Sequence, residues 1–123
     1  MQTNLGDSTA ARVGVRGGKK DSPEDGYFVH APPRAFAPNP FGLHHAHGNV
    51  WEWCRDFFGS YCIPTRSGDG LRIIFKASGR VMRGGSYSGG ADEARLGNRY
   101  YMSPNVRVAT LWVRVARGIA REN

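Results

Sequence analysis

The sequence predicts one loop-rich domain built from short strands, not a helical bundle. Three observations carry this. The chain has 123 residues, enough for one domain at most. Seventeen Gly and seven Pro make up about a fifth of it, a load that breaks long regular elements. Apolar residues are 40% of the chain, with three Trp, five Tyr and six Phe, which is enough to fill a core and excludes a disordered tail.

The elements follow in order. Ser8 is placed to cap a short helix through Ala10-Ala11-Arg12-Val13, which Gly14, Gly17 and Gly18 stop. Residues 19–26 read as a surface loop. Tyr27-Phe28-Val29 is a short strand candidate. Pro32, Pro33, Pro38 and Pro40 then remove ladder donors and impose an irregular extended path, with Phe36 and Phe41 as its apolar pins. Asn49 to Cys54 is the densest apolar patch, and in an extended chain Trp51 and Trp53 share a face opposite Glu52. Leu71 to Lys76 and Arg80 to Arg83 read as two strands joined by Ala77-Ser78-Gly79. Gly84-Gly85 makes a turn or bulge. Trp112 to Arg117 is the clearest strand, with Val113 and Val115 on one face and Arg114 on the other.

Charge and cysteines narrow the function classes. The formal charge is +7, and fourteen of the seventeen basic residues are Arg. They are dispersed, and no helix-turn-helix, zinc quartet or aromatic RNA-binding signature accompanies them. The arginines therefore read as a solvated surface, and nucleic acid is not the expected partner. No apolar run approaches the roughly 20 residues of a membrane span. Polar Gln2-Thr3-Asn4 after Met1 does not read as a secretory signal, and no compartment is assigned. Spacing leaves Cys54 and Cys62 as a disulfide or two thiols; Trp53 beside Cys54 favours a buried free thiol there.

His44, His45 and His47 lie near Glu52. Imidazoles and a carboxylate suit zinc, iron or copper. However, residues at i and i+2 share a face only in a strand, and HExxH is absent, so the residues alone favour a turn with hydrogen-bonded imidazoles. Asn4, Asp7, Asp21, Glu24 and Asp25 are hard oxygen donors among turns, without the EF-hand spacing. Ser86 lacks a GxSxG elbow, and no glycine stretch has phosphate-loop spacing. Tyr87 to Gly90 and Asn98-Arg99-Tyr100-Tyr101 are residue types common in recognition surfaces.

One pattern is more specific. Gly48-Asn49-Val50-Trp51-Glu52-Trp53, preceded by Asn39-Pro40-Phe41-Gly42-Leu43, is followed by Arg83-Gly84-Gly85-Ser86-Tyr87, Ser103-Pro104 and Leu111 to Arg117. These five ordered blocks resemble the formylglycine-generating enzyme / sulfatase-modifying factor family. The resemblance implies an α+β, coil-rich variant of the C-type lectin fold with short antiparallel strands. It makes Trp51 and Trp53 core anchors and the last strand the one that closes the sheet. It also implies structural calcium. One site is similar to Asn4 (side chain), Leu5 (carbonyl), Asp25 (carboxylate) and Tyr27 (carbonyl). A second maps to His45, Gly48, Val50 and Glu52, where His45 replaces an oxygen ligand and Glu52 is available to an arginine.

The resemblance breaks at two places. The oxidase members bind copper through two cysteines, and the matching positions here are Gly89 and Ala94. Without thiolates that chemistry does not proceed, so no copper is expected. The family's N-terminal half, with its helical block, has no counterpart here, so 1–123 reads as one sulfatase-modifying-factor-like domain lacking that half. A missing segment or a partner chain would then complete it.

The resulting expectation is a non-catalytic domain that binds a protein or glycan. Its surface would comprise Tyr87, Ser88, Gly89, Asn98, Arg99, Tyr101, Asn105, Arg107 and Trp112. Variable proteins of diversity-generating retroelements share the scaffold, and Ser88, Gly89, Leu96, Val106, Val108, Ala109 and Thr110 depart from the family pattern as diversified positions would. The alternative is a metal-dependent oxidase or oxygenase-related enzyme, or a fragment of one, using the histidine cluster. A structural or assembly module attached to a signalling protein is the third class.

Overall fold

A computed structural model describes residues 3–15, 24–75 and 77–115. The expected positions Asp21, Lys76, Ala116 and Arg117 lie outside these described residues.

The described residues open with a helix, α1 (Ser8–Arg12). Its cap is Asp7, not Ser8. The Asp7 backbone is extended and its carboxylate accepts the Ala10 N–H at 2.9 Å. A carboxylate at the positive helix end satisfies an otherwise unpaired donor and complements the dipole. Ser8 instead donates to Glu24. Gly14, at φ +77°, turns the chain away after Val13.

Among the described residues four strands follow: β1 (Trp51–Phe57), β2 (Arg80–Arg83), β3 (Tyr100–Met102) and β4 (Leu111–Trp112). They form one sheet in the order β3-β2-β1-β4. β1 pairs antiparallel with β2 through Glu52↔Arg83, Trp53↔Met82 and Phe57↔Arg80, with a bulge between Trp53 and Phe57. β2 pairs antiparallel with β3. β4 departs from the expected antiparallel pattern. It runs parallel to β1, through Trp51↔Leu111 and Glu52↔Trp112, because the loop after β3 carries the chain past β2 and delivers it at the start of β1. There Trp51 N–H donates to Thr110 O at 2.7 Å.

Two expected strands are absent among the described residues. Leu71 to Phe75 forms no ladder, since β2 already has β1 on one side and β3 on the other. Ile73 and Phe75 are left exposed. Tyr27 to Val29 is bent, and its backbone bonds go to side chains. Tyr27 N–H donates to Asp25, and Val29 O accepts from Asn4. The last strand is shorter than expected: beyond Trp112 the chain leaves the ladder, with Val113 and Val115 exposed.

Alternation along the paired strands puts Trp51, Trp53, Met82 and Tyr100 on one face. Glu52, Arg83, Val81, Tyr101 and Trp112 share the other. The apolar core is small: Ala10, Ala31, Phe36, Trp51, Val81, Met82 and Tyr87. Trp51 is buried, whereas Trp53 is half-buried. Asn4, Asp7, Thr9, Asn49 and Ser86 are buried beside this core, so hydrogen bonds supply part of the interior order. No helix among the described residues is long and apolar enough to cross a membrane.

Candidate functional site

The loop after β2 is folded tightly. Gly84 and Gly85 have φ of +98° and +77°, which side-chain-bearing residues rarely adopt. A Cβ on Gly85 would also lie 3.0 Å from Ala94 Cα. The turn sends Tyr87 inward, where its N–H donates to Asn49 O at 2.9 Å and its ring meets His30 edge-on. Ser86 and Ser88 hydroxyls bond each other at 3.0 Å. Gly89 accepts from Gly6 N–H at 2.8 Å. The space a side chain at Gly89 would enter is held by the Glu93 carboxylate. Ala94 O accepts from His47 Nδ1 at 2.9 Å.

The residues expected to form a recognition surface divide into two groups. Tyr87 and Gly89 are buried, and Ser88, Asn98 and Arg99 are half-buried. Arg99 lies 3.5 Å over the Tyr61 ring and donates to Gly59 O at 2.8 Å. Asn98 donates to Glu93 O. Tyr61 escaped the sequence reading, because only the fold brings it here. Its hydroxyl accepts from Arg83 at 2.9 Å and donates to Gly97 O at 3.0 Å. Arg83 also holds Leu96 O and Asn98 O. Two guanidinium groups and a phenol thus fasten the 93–99 loop to the 59–61 segment. Tyr101, Asn105, Arg107 and Trp112 are exposed. Trp112 also lines a cleft of about 730 Å³ whose walls include Pro32, Leu43, Val50 and Val113. That size lies within the usual range for ligand pockets.

Each histidine is committed to a backbone carbonyl. His30 meets Ala109 O, His44 meets Phe36 O, His45 meets Pro32 O and His47 meets Ala94 O, all at 2.8–2.9 Å. A carbonyl only accepts, so the ring nitrogen in each contact carries the proton. The fold turns His44, His45 and His47 toward three different partners. No group of three or more His, Cys, Asp or Glu among the described residues is placed to hold a metal ion.

The first calcium set rests on Asn4 and Asp25. Asn4 is fully buried, and its Oδ1 has no hydrogen-bond partner. Asp25 accepts from Tyr27 N–H at 2.8 Å and Leu5 N–H at 3.2 Å. Burial pushes the Asp25 carboxyl up, the Tyr27 N–H opposes this, and Asp7 adds to it. Asp7 beside it caps α1 and accepts the Asp25 N–H at 2.7 Å, so Asn4 Oδ1 and the Asp25 carboxylate are the hard oxygen donors this set offers. The second set does not fit. Arg114 Nε donates to both Glu52 oxygens at 2.8 and 2.9 Å, and a terminal nitrogen donates to Glu52, His44 O and His45 O. A guanidinium already neutralises the carboxylate that a second calcium would require, and His45 offers no oxygen side chain.

Both cysteines are free thiols, Cys54 half-buried and Cys62 exposed. Burial raises the Cys54 pKa, with Arg83 opposing.

The coil-rich mixed sheet, the short helix and the glycine-turned loop belong to a C-type-lectin-like fold of the sulfatase-modifying type. The chain matches the sulfatase-modifying factor enzyme 1-like domain over residues 2–119, and it belongs to that family. It is 44% identical over 71 residues to the formylglycine-generating enzyme of Thermomonospora curvata, covering 54% of this chain and 23% of that protein. It is 32% identical over 87 residues to the serine/threonine-protein kinase pkn1 of Chlamydia pneumoniae, covering 69% of this chain and 14% of the kinase. Among solved structures, PvdO from Pseudomonas aeruginosa superposes with a TM-score of 0.65 at 28% identity, covering 85% of this chain and 46% of PvdO. Treponema denticola variable protein 1 superposes at 0.52 and 30% identity, covering 86% of this chain and 34% of that protein. The chain thus spans less than a quarter of the length of these two curated relatives.

Proposed function

We propose that this chain is a non-catalytic binding domain that presents residues 96–112 to a protein or glycan. The observation that carries this is the contrast within one loop system. At Gly89 and Ala94 there is no thiol, and Glu93 occupies the space over Gly89. Beside it, Leu96, Tyr101, Val106, Val108, Ala109 and Trp112 face solvent on a backbone held near Leu96 by Arg83, at Ala109 by His30 and at Thr110 by the Trp51 N–H. Exposed apolar and aromatic side chains on a fastened backbone suit a recognition surface, because little ordering entropy is lost on binding.

The likeness to Treponema denticola variable protein 1 supports a narrower form, in which the chain is a variable protein of a diversity-generating retroelement. Of the positions that depart from the family pattern, Leu96, Val106, Val108 and Ala109 are exposed, whereas Ser88 and Thr110 are half-buried and Gly89 is buried. Sequencing sibling copies tests this form. Differences concentrated at the four exposed positions are expected, and uniform scatter overturns it. The non-catalytic reading is tested separately. Aldehyde formation from a cysteine-containing peptide in the presence of copper would overturn it.

A further inference from the structure

At the opposite end of β1, the fold gathers arginines that the sequence disperses. The bulge between Trp53 and Phe57 re-aims this end of the strand. Arg55 from β1, Arg66 and Arg72 from the following loop and Arg80 from β2 line a single pocket of about 230 Å³, together with Asp56 and Phe57. Arg66 is held by Asp69 through two nitrogens. Arg72 donates to Ile63 O at 2.9 Å and stands 3.8 Å from Asp56. Arg80 lies 4.3 Å over the Phe57 ring and donates to Arg55 O. These contacts orient three of the guanidinium groups and leave part of each donor fork outside them. Four guanidinium groups face two carboxylates here, so the pocket carries an excess of two positive charges.

We infer that this pocket binds a tetrahedral oxyanion, a phosphate or sulfate group, carried on a larger molecule. Oriented arginine forks match such oxygens geometrically, and an anion would offset the mutual repulsion of four like charges. The pocket volume is several times the roughly 30 Å³ share of one water, which leaves room for the body bearing the anionic group. This site is separate from the 96–112 surface, and its failure would leave that reading untouched.

The test is calorimetric titration of the whole chain at constant ionic strength. The probes are inorganic phosphate, inorganic sulfate and glucose 6-phosphate, with glucose as the uncharged control. Saturable binding of the charged probes is expected, tightest for the sugar phosphate. Arg55→Ala and Arg80→Ala should each weaken it about tenfold, the equivalent of one charge-assisted hydrogen bond. Arg55 is exposed, so Arg55→Glu should keep the native circular dichroism spectrum while abolishing binding. A heat signal no different from chloride at equal ionic strength, or one unchanged in Arg55→Glu, overturns the site. Equal affinity for inorganic phosphate and the sugar phosphate overturns the larger ligand.

Discussion

The side chains of Asn4 and Asn49 meet in the interior, where Asn4 Nδ2 donates to Asn49 Oδ1 at 3.0 Å. The same Asn49 oxygen accepts from Ala31 N–H at 2.8 Å, and Asn49 Nδ2 donates to Ala31 O. Its backbone binds Asn4 O and Tyr87 N–H. One residue therefore ties together the N-terminal segment, the proline-rich path, the entry to β1 and the loop after β2.

Replacing Asn49 should be costly in a graded way. Asn49 has φ +65°, which Gly tolerates and Ala does not. Asn49→Gly should lose about 2–4 kcal/mol from its buried hydrogen bonds. Asn49→Ala should lose a further 1–2 kcal/mol or so for the left-handed backbone. Urea denaturation checks both, and equal losses would refute the backbone part.

Gly48 should be even less tolerant. Its φ is +71°, and an added Cβ would overlap the Asn4 carbonyl oxygen, a backbone atom with little room to move. Gly48→Ala should therefore unfold a large share of the protein at 37 °C, roughly what several kcal/mol would do to a marginal domain. A soluble variant with an unchanged melting curve would contradict the packing described.

The Arg114–Glu52 contact should depend on shape as well as charge. Lys at position 114 has no planar fork to reach Glu52 and two carbonyls at once. Arg114→Lys should thus recover only a minor part of the loss in Arg114→Ala, which is about 1 kcal/mol after allowing for partial exposure. Thermal melts of the two variants decide it.

Calcium at Asn4 and Asp25 is a proposal with a pH signature. The folded Asp25 pKa is raised above its ordinary 3.8, so in the metal-free protein this group favours folding less as pH rises from 3.8 through the raised value. Calcium needs the ionised carboxylate, so its stabilisation should be larger at about pH 7 than at about pH 4. Saturating calcium, at about 100 times its Kd, should add about 2.7 kcal/mol. Melting metal-stripped protein with and without calcium at both pH values measures this, and an unchanged melt at pH 7 would refute it.

The two thiols should react at different rates. Cys62 is exposed, while burial raises the Cys54 pKa and lowers its thiolate fraction. An Ellman time course on native protein should show one fast and one slow thiol, merging in denaturant. A single fast phase of two thiols in native protein would contradict the burial.

Much of this protein was legible in the chain itself. The glycine and proline load and the Arg83 to Tyr87 block each act through local backbone conformation, so the coil-rich fold, β2 and the turn after it could be read directly, while β1 showed in the sequence as an apolar patch around Trp51 and Trp53. The missing cysteines at Gly89 and Ala94 were equally plain. What failed needed neighbours: Leu71 to Phe75 has strand-like residues, but β2 has no vacant edge for them. Only the tertiary structure joined Tyr61 to Arg83 and Arg99, gave Glu52 to Arg114, buried Tyr87, and gathered Arg55, Arg66, Arg72 and Arg80. Hydrogen bonds and charges act across a few ångströms of space, and residues that far apart along the chain become neighbours only once the backbone has folded.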